Sequence, residues 1–307
     1  MIYLMPEIAS ALGDDTFWTW AQREFPNSVM SSPTSVTKDD VLLRYSTNQD
    51  PLYFPDNTIA LMWELYPEMK VMLGTDLYDF KIDLINKCGR GAAKLTVTSP
   101  LMTPYYAHLN RAVDVLPIAV NTELFKPGDK QALRAKYDLP ANKQIGFWCG
   151  NTHHMKGFDR VQAYAAQHPD IYWVIVWKWP QEAGNLEGAR NYTLIPQQQI
   201  AELMGASDFF LSCSRLRPFY MVEWEAMACN MPIVITDGMQ KDFVPSANPR
   251  DDVFRLGWDR HTAKNTWLNY INNFIASKHE NPDRGNNVPP VQVLRDTPRR
   301  FLRRPPR

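Results

Sequence analysis

The residues with the clearest chemical potential lie in one stretch, from Ser214 to Val234. Its pattern predicts the end of a strand, a tight loop, a helix of small residues and a second buried strand. In a parallel sheet such a loop lies at the carboxyl end of a strand, and the first N–H groups of the following helix have no partner inside the helix. We therefore expect the loop to hold a phosphate, and Glu225 in the helix to accept hydrogen bonds as a carboxylate.

A second loop, from Cys149 to Asp159, follows another predicted strand and contains Lys156. A lysine positioned in a loop at the end of a strand can bind an anionic group such as a phosphate. A lysine at the start of a helix can also be an ordinary solvated charge. The neighbouring segments decide between these two interpretations.

These two loops need a sheet to position them, and short apolar runs that alternate with helical stretches predict parallel strands joined by crossover helices. The predicted strands are Ile2–Met5, Ser28–Ser31, Val41–Tyr45, Thr58–Trp63, Lys94–Thr98, Val113–Val120, Gln144–Cys149, Tyr172–Val176, Tyr192–Ile195, Phe209–Ser212 and Ile233–Thr236. The predicted helices are Asp15–Phe25, Leu77–Cys88, Phe158–Gln167, Gln197–Met204, Val222–Cys229 and Thr262–Ser277. The polar stretch Lys126–Lys143 is expected to link two halves of the chain, and the last helix to pack back across the first.

Composition excludes several classes of protein. The 307 residues are 45% hydrophobic and 21% charged, which is typical of a globular chain of two domains. The four cysteines form no Cys-x-x-Cys pair, so we expect reduced thiols, a cytoplasmic protein and no zinc site. The start of the chain lacks the basic region of a signal peptide, and no apolar run reaches the roughly 20 residues that span a bilayer.

The charge is unevenly placed. The net charge is zero, yet Arg295–Arg307 holds six arginines and one aspartate. Such a segment can neutralise the phosphates of a nucleic acid. Short ends rich in proline and arginine are also commonly solvated and disordered, so the tail is a weak indication of nucleic-acid binding.

Both loops resemble the retaining family 4 glycosyltransferases of GT-B fold. In that family two glutamates eight positions apart flank a Pro-Phe-Gly loop that precedes Glu-Ala-Met-Ala-Cys-Gly. Here Glu225 falls on the second glutamate, while Arg217, Tyr220 and Asn230 replace the first glutamate, the loop glycine and the closing glycine. The resemblance covers roughly residues 58–240. It includes Leu116–Pro127, which is similar to the family's junction between domains.

The resemblance implies an α/β chain with two Rossmann-like, doubly wound parallel-sheet domains that face a cleft. Residues 1–125 would bind the acceptor, residues 126–278 the nucleotide sugar, and residues 279–307 would form the basic tail. It further implies that the donor is a nucleoside diphosphate sugar, with UDP as the commonest carrier, and that the enzyme needs no further cofactor and no metal.

The resemblance also assigns site residues. Gly150–Gly157 is similar to the family's Gly-Arg-x-x-x-x-Lys-Gly loop, with Asn151 in place of the arginine. The implied catalytic residues are Lys156, Arg217 and Glu64, the last beside Trp63 where the family often carries a histidine. The implied donor-binding residues are Gly150, Asn151, His154, Lys156, Lys178, Ile195, Arg217, Phe219, Tyr220, Met221 and Glu225.

Individual roles follow from the same comparison. Phe219, Tyr220 and Met221 would offer main-chain N–H groups to a phosphate, and Glu225 would bind the ribose hydroxyls. Tyr220 replaces a glycine, so its loop must either bend without a positive φ or be strained. Trp177 and its neighbours would either stack on the nucleotide base or pack at the rim of the cleft.

The acceptor stays open between alternatives. The compact first half and the basic tail fit a viral enzyme that glycosylates hydroxymethylated DNA bases, and precursors of surface glycans or lipids fit equally well. Four replacements at family site positions, Trp63, Asn151, Arg217 and Tyr220, also fit a noncatalytic protein that binds nucleotide sugars. A protein that only binds nucleic acid depends on the tail alone. The sequence does not indicate an oligomeric state.

Overall fold

The computed structural model describes residues 1–6, 14–63, 70, 74–151, 154–178, 186–215, 220–236 and 245–280. Within these ranges the chain forms two parallel β-sheets with helices packed on them, so it is an α/β chain with two Rossmann-like domains. Glu64, Arg217, Phe219 and the tail from Asn281, for which the sequence predicts roles, lie outside the described residues.

The first domain is built on a sheet of six described strands in the order β2-β1-β3-β4-β5-β6, with all pairs parallel. The strands are β1 (Ile2–Met5), β2 (Ser28–Met30), β3 (Val41–Tyr45), β4 (Thr58–Leu61), β5 (Lys94–Val97) and β6 (Asp114–Val115). Their near-continuous apolar runs are typical of parallel strands that are covered on both faces.

The second domain has five described strands in the order β11-β10-β7-β8-β9, again all parallel. They are β7 (Ile145–Gly150), β8 (Tyr172–Trp177), β9 (Arg190–Thr193), β10 (Phe209–Ser212) and β11 (Ile233–Ile235). The chain winds from β7 towards β9 and then resumes on the other side of β7 with β10. The carboxyl ends of β7 and β10 therefore flank the switch point, where open α/β sheets bind ligands.

The described helices cover and connect these sheets. They are α1 (Asp14–Glu24), α2 (Thr75–Gly91), α3 (Lys130–Lys136), α4 (Phe158–Gln167), α5 (Gln197–Ala206), α6 (Met221–Ala228), α7 (Pro249–Arg255) and α8 (Arg260–Glu280), with 3-10 turns at Pro55–Asn57, Pro100–Leu109 and His154–Lys156. None of the helices in the described ranges is long and apolar enough to cross a bilayer.

Helix α8 returns to the first domain. Its apolar side chains, Trp267 and Tyr270 among them, belong to the same buried cluster as strands β1, β3 and β4. The Trp267 indole donates to the carbonyl oxygen of Pro117 at 3.0 Å, and the Tyr270 hydroxyl donates to the Asp114 carboxylate at 2.6 Å. The last described helix therefore packs on the first domain, with which the chain begins.

Two expectations from the sequence are wrong. The expected strand Val113–Val120 is a strand only over Asp114–Val115, because Pro117 has no N–H to donate to a ladder, and Val120 forms a separate bridge with Asp259. Strand β9 ends at Thr193 rather than Ile195, because Leu194 adopts a positive φ. The polar stretch Lys126–Lys143 also contains helix α3, which Asp129 caps by accepting from the N–H groups of Gln131 and Ala132.

Candidate functional site

The two loops singled out in the sequence leave the sheet on either side of the switch point. Gly150 ends β7, and its carbonyl oxygen accepts from the N–H of Lys178, which directly follows β8, at 2.9 Å. Gly150, at the end of β7, and Asn151 and residues 154–157, which follow it, thus lie between the end of β8 and the end of β10. Asn151 is buried, Lys156 is half-buried and His154 is exposed.

Gly157 allows the two loops to touch. Its φ is +69°, a left-handed conformation that side chains rarely adopt, and a Cβ at this position would overlap the carbonyl oxygen of Cys213. The lysine–glycine pair in this loop is therefore needed for two separate reasons. The lysine carries the charge, and the glycine lets the loop lie directly against the end of β10.

Arg215 fastens the same two loops, although the sequence did not single it out. Its backbone N–H donates to the carbonyl oxygen of Met155 at 2.8 Å. Its guanidinium forms a bidentate pair with Asp159 at 2.9 and 2.6 Å and also donates to the carbonyl oxygen of His154. The hydrogen bonds and charge of Arg215 hold the pKa of Asp159 below its usual value.

The side chains of Lys156 and Tyr220 are in direct contact. The Lys156 Nζ atom lies 3.5 Å from the centroid of the Tyr220 ring, well inside the distance for a cation–π interaction. Tyr220 has a φ of −87°, so the loop turns into α6 with extended backbone and without a positive φ. The closing glycine of the motif corresponds to Asn230, whose φ is +59°, and asparagine is one of the few other residues that tolerate that region.

Three of the predicted donor-binding residues influence the Cys149 thiol electrostatically. Burial and the nearby carboxylate of Glu225 raise the pKa of Cys149 to about 12, while the ammonium groups of Lys156 and Lys178 oppose this rise. All three charges are thus close enough to act on one sulfur atom at the end of β7. The switch point therefore combines two cations with one carboxylate, a set suited to a diphosphate and a ribose.

Glu225 has an unusual environment for a carboxylate. Burial raises its pKa to about 7, and the charge of Arg260 partly offsets this effect. Arg260 begins helix α8, and its own pKa is lowered by burial. Sequence reasoning did not find Arg260, because no local pattern connects the start of α8 with the middle of α6.

Glu223 is a further residue that the sequence analysis missed. It is 2% exposed, and its carboxylate accepts from the Ser212 hydroxyl and, at 2.5 Å, from the backbone N–H of Tyr220. The position of Glu223, three residues after the helix cap, was a signal that could have revealed it. Its contact has a consequence for the phosphate prediction. The Tyr220 N–H that was expected to face a phosphate is already used by Glu223.

The remaining expected residues are placed as follows. Met221 is half-buried at the first position of α6, and Ile195 packs against the main apolar cluster of the second domain. Trp177 is 1% exposed and lies between Trp148 and Phe158, so it is a core residue and neither stacks on a base nor lines a rim. Trp63 packs edge-on against Phe17 with ring centroids 4.7 Å apart.

No group of three or more histidine, cysteine, aspartate or glutamate side chains suited to a metal ion occurs in the part of the chain that the structure describes. The four cysteines are free thiols: Cys88, Cys213 and Cys229 are fully buried, and Cys149 is partly buried.

The part of the chain that carries this site is similar to a known sequence family. Residues 129–243, which contain both loops and helix α6, match the glycosyl transferases group 1 family. The chain is 30% identical over 168 residues to a D-inositol 3-phosphate glycosyltransferase of Segniliparus rotundus, covering 49% of this chain and 37% of the relative. It is 26% identical over 207 residues to the enzyme of the same name from Mycobacterium bovis, covering 54% of this chain and 43% of the relative. The aligned part is thus about two fifths of the length of these curated relatives.

Solved structures match over more of the chain. Anabaena Alr3699/HepE in complex with UDP-glucose superposes with a TM-score of 0.58 at 15% identity, covering 91% of this chain and 99% of that one. The glycosyltransferase WaaG, involved in lipopolysaccharide biosynthesis, gives 0.56 at 13% identity over 92% of this chain and 96% of that one. The chain therefore has the two-domain GT-B fold of glycosyltransferases, and its second domain is similar in sequence to the glycosyl transferases group 1 family.

Proposed function

We propose that this chain is a glycosyltransferase that moves a sugar from a nucleoside diphosphate sugar, with UDP as the carrier, to a hydroxyl group of an acceptor. The observation that carries the proposal is that Lys156, Lys178 and Glu225 follow the carboxyl ends of the neighbouring strands β7, β8 and β10, at the switch point of the second sheet. The family match over residues 129–243 and the UDP-glucose complex of a structural neighbour support it.

In this proposal each charged residue has a defined task. Lys156 and Lys178 stabilise the diphosphate as negative charge grows on its leaving oxygen. Glu225, when ionised, accepts hydrogen bonds from the ribose hydroxyls and so fixes the nucleotide in the cleft. Arg217 takes the place of the family's first glutamate and is proposed to contact a phosphate or an acidic sugar, while Glu64 is proposed to face the sugar or the acceptor.

The reaction is proposed to retain the configuration of the sugar. The bond from the anomeric carbon to the phosphate oxygen breaks, and the acceptor oxygen bonds to the same face of that carbon. The acceptor proton passes to the departing phosphate oxygen, so the scheme requires no nucleophile from the protein. Retention is checked by the anomeric coupling constant of the product in proton NMR.

Separate observations favour different acceptors. The arginines of Arg295–Arg307 favour a polyanion, and we propose a hydroxymethylated DNA base, which the enzyme would reach by flipping it out of the helix. The curated relatives carry the name D-inositol 3-phosphate glycosyltransferase, which favours the hydroxyl of a phosphorylated cyclic polyol.

One experiment tests both the activity and the acceptor. The full-length chain is incubated with pooled UDP-sugars and, in separate tubes, with hydroxymethylcytosine DNA, hydroxymethyluracil DNA, unmodified DNA, inositol phosphate or a lipid-linked glycan precursor. Released UDP is assayed, and the acceptors are weighed by mass spectrometry. A base that is heavier by the mass of one sugar would support DNA as the acceptor. A polyol phosphate or glycan that is heavier by one sugar would identify that molecule as the acceptor instead. No UDP release and no product in any tube would contradict the enzyme and favour the noncatalytic binding protein.

Lys156→Ala shows whether the released UDP comes from this protein or from a contaminating enzyme. We expect the substitution to reduce UDP release about 100-fold or more, because it removes a cation from the leaving group. Lys87→Ala is the matched control, since Lys87 is an exposed lysine paired with Asp83 on helix α2, far along the chain from both loops. Equal activity of the two variants would show that Lys156 takes no part in the reaction.

A further inference from the structure

The pair formed by Lys156 and Tyr220 points beyond donor binding to the way in which the donor site is prepared. We propose that Tyr220 is a positioning residue: its ring holds the Lys156 ammonium group in place for the diphosphate, and it does so while resting on the first domain. This proposal depends on the proposed function, because the diphosphate is the ligand for which Lys156 is held.

The first step of the argument is the contact itself. Lys156 Nζ lies 3.5 Å from the Tyr220 ring centroid, so the ammonium group faces the negative side of the ring. A lysine side chain has about four rotatable bonds, and the entropy that it loses when it is ordered on binding weakens the affinity. A ring that restricts the side chain before the donor arrives removes part of that cost.

The second step is that Tyr220 is itself held. Its backbone N–H donates to the buried Glu223 carboxylate, which also accepts from Ser212 at the end of β10. The start of α6 is thereby tied to the second sheet. The Tyr220 backbone, from which the ring projects, is therefore fixed in position.

The third step concerns the other end of the ring. Tyr220 packs against an apolar cluster of the first domain that includes Met62 and Tyr106. Met155, the neighbour of Lys156, is 4% exposed and belongs to the same cluster. Tyr220 and the residue next to Lys156 therefore both touch the first domain through apolar groups, so Lys156 is held in this way when the two domains are together.

A glycine at this position, as in the family motif, would provide neither the ring nor the contact with the first domain. The chain thus couples the position of its phosphate-binding lysine to the closeness of the domains. The interaction uses the ring face and not the hydroxyl group, so phenylalanine should replace tyrosine and leucine should not.

The test is a double-mutant cycle on full-length protein with UDP as the ligand, measured by calorimetry. We expect Tyr220→Phe to change the Kd of UDP less than about twofold and Tyr220→Leu to weaken binding about 5- to 10-fold. In a Lys156→Met background the leucine substitution should have less than about a twofold effect, because the ring then has no cation to hold. An equal loss in both backgrounds, or no loss with Lys156 present, would overturn the proposal.

A second measurement does not need the donor. In full-length protein with carbon-13-labelled lysine, the Lys156 methylene signals beside Nζ should show an upfield ring-current shift that persists in Tyr220→Phe and disappears in Tyr220→Leu. Lys156→Arg assigns the signals, and melting temperatures show that each variant is folded. An unshifted Lys156 signal in the unsubstituted protein would overturn the contact. A shifted signal in a protein that binds no UDP would instead overturn the donor site.

Discussion

At the scale of single residues, the candidate site combines predicted charges with supports that come from elsewhere in the chain. Lys156 and Glu225 could be identified from their motifs because phosphate and ribose recognition use characteristic residue types at characteristic spacings. Glu223 supports them through a capping contact, whereas Arg215, through its hydrogen bonds, and Arg260, through its charge, act in ways that no motif describes.

The raised pKa of Glu225 gives the site a pH dependence. With a pKa of about 7, the carboxylate is mostly ionised at pH 8 and mostly protonated at pH 6. A protonated carboxyl group accepts ribose hydrogen bonds poorly, so the Kd of UDP should be about tenfold higher at pH 6 than at pH 8. The measurement is a calorimetric titration at half-unit steps. Glu225→Gln should bind weakly at every pH, and a dependence that survives this substitution would assign the titration to another group.

At the scale of elements, the helices and loops on either side of β7 and β10 must approach very closely. Gly157 marks the closest approach, because its φ is positive and a side chain there would meet the Cys213 carbonyl oxygen. The close packing of the two loops thus limits the size of the residue at position 157, independently of any role in binding or catalysis.

Substitution of Gly157 separates the cost of backbone conformation from the cost of overlap. Gly157→Ala should lower the free energy of unfolding by more than about 2 kcal/mol and weaken UDP binding, because both loops must move apart. Gly188→Ala is the matched control, since Gly188 has a φ of +73° with no atom close to the added Cβ. It should cost about 1 kcal/mol and leave binding unchanged. Urea unfolding and calorimetry measure both effects, and equal effects at the two positions would contradict the close packing.

The Arg215–Asp159 pair should act on binding through the loops it joins. Arg215→Lys retains the charge but loses the bidentate geometry, so we expect a rise in the Kd of UDP of about three- to tenfold with a small change in stability. Asp159→Asn should have a similar effect, and the double variant should be no worse than either single one. Additive losses in calorimetry would show that the two residues act independently.

The sequence predicted the elements well where periodicity was strong and poorly where it was not. The bounds of β1, β3, β10 and α4 agree with the prediction because apolar runs and flanking turn residues define them. Helix α3 was missed because seven residues, most of them polar, carry little periodic signal. The contact of Tyr220 with Lys156 could not be predicted, since it joins two loops across a sheet order that propensity does not specify.

At the scale of the whole molecule, helix α8 joins the second domain to the first. It begins at Arg260, close enough to Glu225 to influence its pKa, and packs its apolar face against the first sheet. The 5% exposed Asp114 carboxylate accepts a hydrogen bond from Tyr270, whose pKa is raised well above its usual value, mainly by burial. The packing of α8 on the first domain is therefore stabilised by a buried polar contact as well as by apolar side chains.

Tyr270→Phe tests that contact. The substitution removes the donor and leaves a buried carboxylate without this partner, so the free energy of unfolding should fall by about 1 to 3 kcal/mol. UDP affinity should change less than twofold, because the contact lies in the first domain. Tyr53→Phe, at a side chain that is 70% exposed, should have almost no effect. Indistinguishable urea midpoints for the two variants would contradict a stabilising role for the Tyr270 hydroxyl.

The strand order of the second sheet has a consequence for the folding of the protein. Lys156 follows β7 and Glu225 follows β10, two strands that pair although β8, β9 and their helices lie between them in the chain. The nucleotide should therefore recognise finished molecules and ignore partly folded ones. Added during refolding at a hundred times its Kd, UDP should shift the balance towards the native state by about 2.7 kcal/mol, which makes a small ligand a practical folding aid for weakened variants.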